Sequence, residues 1–239
     1  MLTVDSITKR FGGLTAVNSC SFTIEAQSIT GLIGPNGAGK TTLCDVISGK
    51  TRPTTGQVFF EGEDITLLPE ADIAQRGVGR KFQTPTVYDS LTVYENMTLT
   101  LPGRQGISLG TRVTSEERDS VRSLLERVRL IDEEQTAVRY LSHGQRQWLE
   151  ISMLILTGPK LLLVDEPAAG LTDEETVLTA ELLLESREEH SIIVIEHDME
   201  FVRLLNSHVT VLNEGKIMAE GTIDEVSANE EVKEAYLGR

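Results

Sequence analysis

The stretch GLIGPNGAGKTTL sets Gly34, Gly37 and Gly39 ahead of Lys40 and Thr41. Glycines at this spacing let the backbone curl until successive amides point inward, an arrangement that holds phosphate oxygens. An apolar run precedes the loop and a helical run follows it, so the positive end of a helix dipole would add to the same field. In that setting Lys40 reaches the β- and γ-phosphates of a nucleoside triphosphate, ATP for example, and the Thr41 hydroxyl ligates Mg²⁺. The run Gly34, Pro35, Asn36, Gly37, Ala38, Gly39, Lys40, Thr41 and Thr42 is therefore the expected nucleotide-binding loop. A glycine-rich turn that binds nothing is the plain alternative, and the strand-loop-helix context argues against it.

A triphosphate site needs a second, acidic element. LLLVDEP supplies apolar residues typical of a buried strand, then Asp165 and Glu166 at its end. Asp165 is expected to hold Mg²⁺ through water, and Glu166 to take a proton from the attacking water. Such a pair alone commonly caps a surface helix; behind a phosphate loop it gains meaning. IIVIEHD ends another strand-like run on His197, which beside a phosphate could donate a hydrogen bond to the γ-phosphate and sense its loss. Gln83, after GRKF, is an amide able to reach both the metal and the water. In LSHGQRQWLEI, Ser142 stands next to His143, which raises the question of a nucleophile beside its base. Ser142-x-x-Gln145 is also a capping box at the start of a helix whose buried face includes Trp148 and Ile151.

These groups must be positioned by the elements between them. LTVDSITKRF, VNSCSFTI, SITGLIG and QVFFEGEDI, the last turning at Gly62, read as strands. Pro85 and Pro102 bracket a stretch that reads as irregular. A helix is expected from about Glu116 to Ile131, with Val121, Leu124, Leu125, Val128 and Ile131 at helical spacing and Thr114 with Glu117 as a capping box. Thr172 with Glu175 forms another such box. KLLLVDE and SIIVIEHD are short buried strands separated by an apolar helix, and HVTVLNEGKIMAEG is a hairpin turning at Asn213-Glu214-Gly215 ahead of a short C-terminal helix. Buried strands alternating with helices predict a mostly parallel sheet covered on both faces, interrupted by a helical lobe between about Pro85 and Thr157.

Composition narrows the partners. A net charge of −15 would be repelled by nucleic acid and by anionic headgroups, so no nucleic-acid partner is expected. The two cysteines, Cys20 and Cys44, are far apart and lack metal-site spacing, which predicts reduced thiols. The apolar runs are too short to span a bilayer and no leader opens the chain, so a soluble protein is expected.

Together and in this order, the phosphate loop, Gln83, LSHGQ, the Asp165-Glu166 strand and His197 resemble an ATP-binding cassette ATPase, over essentially the whole chain. The resemblance implies an α/β P-loop (RecA-like) NTPase with a mostly parallel sheet core, an N-terminal antiparallel β subdomain and an inserted α-helical subdomain. Residues 1–84 and 158–239 would form the nucleotide-binding core and 85–157 the helical subdomain. Phe11 takes the place of an adenine-stacking aromatic, where tyrosine is more frequent; its π-face remains suitable. LSHGQ is similar to the family signature LSGGQ. The resemblance implies that Ser142, His143, Gly144 and Gln145 meet the γ-phosphate of a partner chain, two chains sandwiching two ATP molecules. A serine nucleophile is then not expected, as no third residue orients a base for it. His143 replaces a glycine, and either adds a polar contact to the opposing nucleotide or is tolerated at an exposed position. Thr172 stands where aspartate is frequent, which puts the cross-dimer contacts of that aspartate in doubt.

Closer similarity, in GLTAVN, GVGRKFQ, DEPAAG, IEHDME and AYLG, points to the importer subgroup for branched-chain amino acids and urea. LSHGQRQWLEI and EHDMEFVR look most like a urea-type ATP-binding subunit. The expected function is hydrolysis of ATP to power uptake of a small polar solute, urea or short amides, with a branched-chain amino acid importer as the alternative. The expected partners are a second cassette subunit, in a homodimer or heterodimer, integral membrane permease subunits docked near Gln83 to Gly110, and indirectly a periplasmic or extracellular solute-binding protein. The chain would sit peripherally on the cytoplasmic face of the inner membrane. A soluble cassette ATPase acting on nucleic acid or ribosomes, and an inactive nucleotide-binding regulator, are the readings from other classes. The acidic charge speaks against the former, and the joint presence of Lys40, Asp165, Glu166 and His197 against the latter.

Overall fold

The computed structural model describes residues 1–81, 87–101 and 113–237. Strand β1 (Leu2–Phe11) pairs antiparallel with β2 (Leu14–Ile24) on one side and with β4 (Thr55–Phe60) on the other, and β5 (Glu63–Asp64) completes a four-stranded sheet of order β2-β1-β4-β5. The β4–β5 turn runs through Glu61 (φ 51°) and Gly62 (φ 83°). Left-handed residues of this kind match the twist of a tight hairpin.

The second sheet is six-stranded, in the order β10-β9-β3-β8-β7-β6. Its strands are β3 (Ile29–Ile33), β6 (Val78–Lys81), β7 (Leu161–Asp165), β8 (Ser191–Glu196), β9 (His208–Asn213) and β10 (Lys216–Thr222). All are parallel neighbours except β10, which returns antiparallel to β9 through the expected turn at Glu214 and Gly215. Strands β3, β7 and β8 are buried at every position, which is why they read as unbroken apolar runs. On β7, Leu161 and Leu163 join a core shared with the antiparallel sheet and α1 (Lys40–Ile47), while Leu162 and Val164 join the core under the other helices.

The helices after α1 are α2 (Glu70–Gln75), α3 (Val93–Leu99), α4 (Ser115–Arg127), α5 (His143–Leu156), α6 (Asp173–Ser186), α7 (Met199–Leu205), α8 (Ile223–Ala228) and α9 (Glu230–Leu237). Helices α3 to α7 cover that second core, Ile73 of α2 joins the first, and α8 and α9 pack in a third cluster with β9. The capping boxes expected at Thr114, Ser142 and Thr172 are formed. Helix α4 ends earlier than its apolar spacing predicts. Arg129 takes a left-handed φ of 54°, and Ile131 opens a separate 3₁₀ turn. The stretch after Pro85 is not wholly irregular either: Thr92 and Glu95 cap α3, and the buried Asn96 side chain binds the backbone of Tyr88 and Thr92. Both cysteines are free and buried.

Strand β6 is tied to helices on both of its faces. Arg80 reaches Asp45 of α1 at 2.6 Å, and Lys81 reaches Glu150 of α5 at 3.4 Å, with side-chain exposures of 4 % and 7 %. Removing one partner of a buried pair strands the other charge, at a cost of roughly 3–5 kcal/mol, whereas an apolar pair of similar volume is near neutral. Glu150→Leu should therefore lower the urea unfolding midpoint, and adding Lys81→Met should restore part of the loss. Equal losses in the single and double variants would show that the pair does not anchor α5 to β6.

Candidate functional site

The phosphate loop leaves the buried end of β3 and enters α1 at Lys40. Two of its glycines are required by close approach. A Cβ on Gly34 would stand 2.0 Å from the Leu212 carbonyl oxygen, and one on Gly39, whose φ is 104°, would stand 2.3 Å from that of Ala16. The loop is braced from the hairpin side, where the Gly215 amide donates to the Ala38 carbonyl at 2.9 Å. Lys40 Nζ donates to the Gly34 and Pro35 carbonyls at 2.6 and 3.1 Å, which holds the ammonium inside the curl. Burial pulls Lys40 below its usual pKa, against the opposing pull of the Glu166, Asp165 and Glu196 carboxylates.

Phe11, Asn36, Lys40, Thr41 and Glu166 line one cleft of ≈ 590 Å³, together with the rest of the loop from Gly37 to Thr42. Phe11, at the end of β1, is 49 % exposed, with the Lys9 ammonium 4.7 Å from its ring centroid. An adenine could stack on that ring.

Asp165 closes β7 and is 2 % exposed. Its Oδ2 is buried without a hydrogen-bond partner, and desolvation raises its pKa despite Arg80, Lys81 and Lys40 nearby. An orphaned carboxylate oxygen beside a phosphate loop fits a divalent cation. Among the described residues no group of three or more His, Cys, Asp and Glu could hold a metal unaided. Mg²⁺ would thus be held by Thr41 and Asp165 together with the phosphates it accompanies. Gln83, the other expected ligand, lies outside the described residues.

Glu166 follows with a left-handed φ of 47°, its amide bonded to the Ile195 carbonyl at 2.9 Å. His197 Nδ1 stands 3.5 Å from Glu166 Oε1 and 3.7 Å from Glu196 Oε2. Glu196 went unassigned in the sequence. It is 1 % exposed and accepts from the Ala168, His197 and Asp198 amides at 3.1, 3.0 and 3.4 Å, joining the Glu166 turn to the His197 turn. Burial raises its pKa against these bonds. A carboxylate ending an otherwise apolar strand was the available signal.

None of Ser142, His143, Gly144 and Gln145 lines this cleft. Ser142 Oγ accepts from the Gln145 amide at 3.2 Å, and His143 Nε2 bonds the Ala169 carbonyl at 3.1 Å. The serine is a cap and the imidazole is bonded to a different segment, so they form no nucleophile–base pair. The His143 bond lies within its own chain, an arrangement neither expectation for that residue included. A Cβ on Gly144 would stand 2.3 Å from Glu175 Oε1, so a side chain there would push that carboxylate aside.

Gly39→Ala combines a left-handed backbone with a backbone clash. It should lower affinity for a fluorescent ATP analogue by at least about tenfold. Parent-like binding in a titration would show that the loop tolerates a different path.

The sequence from residue 17 to 169 matches the ABC transporter family model, and residues 216–239 match a model described as branched-chain amino acid ATP-binding cassette transporter. The high-affinity branched-chain amino acid transport ATP-binding protein BraF of Pseudomonas aeruginosa is 36 % identical, with 100 % of this chain and 98 % of the relative aligned. LivG of Escherichia coli, described in the same words, is 37 % identical over the same shares. Among solved structures, an ATP-binding cassette of an ABC transporter in its ADP conformation superposes with a TM-score of 0.88 at 30 % identity, covering 100 % of this chain and 99 % of the other. A nucleotide-free cassette gives 0.86 at 30 % identity with the same coverage. The expected cassette fold is thus present, and the chain belongs to the ABC transporter family as an ATP-hydrolysing cassette related to those of branched-chain amino acid importers.

Proposed function

We propose that this chain is the ATPase subunit of an ABC importer, acting as one of two cassettes that close on two ATP molecules. One observation carries the reading. Lys40, Thr41 and Glu166 face a single cleft, with Asp165 and His197 beside it, while the signature residues of the same chain stand outside that cleft. A chain whose signature does not line its own nucleotide cleft needs a second chain to bring one there.

In this scheme loop amides and Lys40 hold the phosphates, and Phe11 stacks on adenine. Mg²⁺, when bound, supplies charge neutralisation at the phosphate oxygens. Glu166 accepts the proton of the attacking water, and His197, held against Glu166, lies where it can read the γ-phosphate. Ser142, His143, Gly144 and Gln145 present a capped helix start toward the partner's nucleotide.

Among the described residues no helix is long and apolar enough to cross a membrane, so attachment at the cytoplasmic face would come through permease subunits. Of the docking face expected near Gln83 to Gly110, residues 87–101 are described and the rest lie outside the described residues. The named relatives support branched-chain amino acids as the solute, the reading first held as the alternative. Urea remains a second reading, favoured by the likeness of LSHGQRQWLEI and EHDMEFVR to urea-type subunits. An importer's ATPase does not touch the solute, so the decision falls to the assembled complex. With its membrane partners reconstituted, leucine should stimulate ATP turnover more than urea does, and the opposite order would restore the urea reading.

Glu166→Gln keeps the phosphate cradle and removes the base. ATP binding should persist while turnover falls by roughly 10²- to 10⁴-fold. An ATP-dependent dimer should accumulate on size-exclusion chromatography. Unchanged turnover would remove Glu166 from the role of base.

A further inference from the structure

We propose that His143 and Gln147, on the first turns of α5, are positioning residues that hold the Glu166 turn in its working shape. The first turns of α5 are thereby bonded to the turn that carries the same chain's base. The inference rests on the reading of Glu166 given above and adds to it two residues that act through it.

The turn needs holding. Glu166 carries a side chain on a left-handed backbone, which persists only where the surroundings over-determine it. Part of that support comes from the sheet, through the Ile195 carbonyl and through Glu196 at the Ala168 amide. The rest comes from α5. Gln147, 7 % exposed, donates through Nε2 to the carbonyls of Glu166 at 3.2 Å and Pro167 at 2.7 Å. Two residues on, the Ala169 carbonyl takes the Nε2 hydrogen of His143 at 3.1 Å, the only role a ring nitrogen can have toward a carbonyl. Where the turn ends, at Gly170 (φ 72°), an added Cβ would stand 3.3 Å from His143 Nε2, so the ring packs against that end as well.

Neither residue is needed to start α5. Ser142 and Gln145 already satisfy its first amides with a complete capping box. What His143 and Gln147 add is addressed to the turn alone. A histidine at this point of the signature therefore has a use inside its own chain: its ring spans to Ala169, which a glycine could not do.

The test compares His143→Gly, His143→Gln and Gln147→Leu in the full chain, each alone and combined with Glu166→Gln. Turnover, KM for ATP and the unfolding midpoint are measured for all. With Glu166 present, His143→Gly and Gln147→Leu should each lower kcat about tenfold with KM unchanged, because a misplaced base slows chemistry without loosening the cradle; the midpoint shows that each variant is folded at the assay temperature. His143→Gln, whose amide can donate to the same carbonyl, should recover to within about twofold of the parent. In single-turnover assays on the Glu166→Gln background, none of these variants should add a further loss, since the group they position is absent. A full additional loss on that background would mean that His143 acts elsewhere, on the opposing nucleotide for instance, and would overturn the inference. So would His143→Gln behaving like His143→Gly. Parent-like turnover of Glu166→Gln alone would be a different failure, that of the base assignment itself. Should Gln147→Leu fail to fold, the His143 pair decides the matter.

Discussion

Parallel pairing of β3, β8 and β7 is the constraint on which the site depends. Ile33 on β3 is in register with Glu196 on β8, and Ile195 on β8 with Asp165 on β7. Three neighbouring strands therefore end together at their carboxyl edge, where open α/β sheets bind ligands. The phosphate loop leaves the first, Glu196 and His197 the second, and Asp165 and Glu166 the third. The Glu166 amide carries the ladder one residue further by bonding Ile195. A slip of one residue in any of these strands would turn its whole set of side chains over. The burial of both faces, which fixes the register, is therefore also what places the chemistry.

That edge concentrates charge. Lys40 sits among Asp165, Glu166 and Glu196, and both Asp165 and Glu196 are buried at or below 2 % exposure. Burial raises the pKa of Asp165, against the pull of Arg80, Lys81 and Lys40, and that of Glu196, against its hydrogen bonds to backbone amides. The two acids are satisfied differently. Glu196 spends its oxygens on backbone amides and so acts as a structural tie. Asp165 keeps Oδ2 without a partner. The contrast separates a carboxylate that organises the edge from one suited to a cation.

Much of this was legible in the sequence because its signals are local. The phosphate loop declares itself by glycine spacing, and the boxes at Thr114, Ser142 and Thr172 by a hydroxyl residue followed three places on by Glu or Gln. What escaped was set by distant partners or by backbone angles. Helix α3 is seven residues long and shows only Val93, Asn96 and Met97 to the interior, too little for a periodic pattern, so that its local Thr92-x-x-Glu95 box stands without an apolar run to confirm it. The end of α4 depends on a left-handed arginine at 129, which no composition rule flags. Glu196 and Gln147 are meaningful only once β8, α5 and the turn after β7 are side by side. A short resemblance in LSHGQRQWLEI and EHDMEFVR points to urea-type subunits, while the whole-chain relatives named above are branched-chain amino acid transport ATP-binding proteins.

The glycine of the signature illustrates how a local packing demand and a remote role can fall on one residue. Gly144 sits in ordinary helical backbone, so its conformational freedom is not used. Its missing Cβ makes room for the Glu175 carboxylate, which in turn caps α6 through Thr172. One turn further along both helices, Trp148 Nε1 donates to Thr179 Oγ1 at 3.0 Å in a buried bond. Residues 144 and 148 on α5 thus meet 175 and 179 on α6, the same four-residue step on each side. Two contacts one turn apart resist rotation of one helix about the other far better than a single contact could. The start of α5 is consequently fixed to the start of α6, and through the turn between β7 and α6 to Glu166. A side chain at position 144 would displace a carboxylate that caps α6, so the glycine is favoured from within the chain by about the worth of that cap, roughly 0.5–2 kcal/mol.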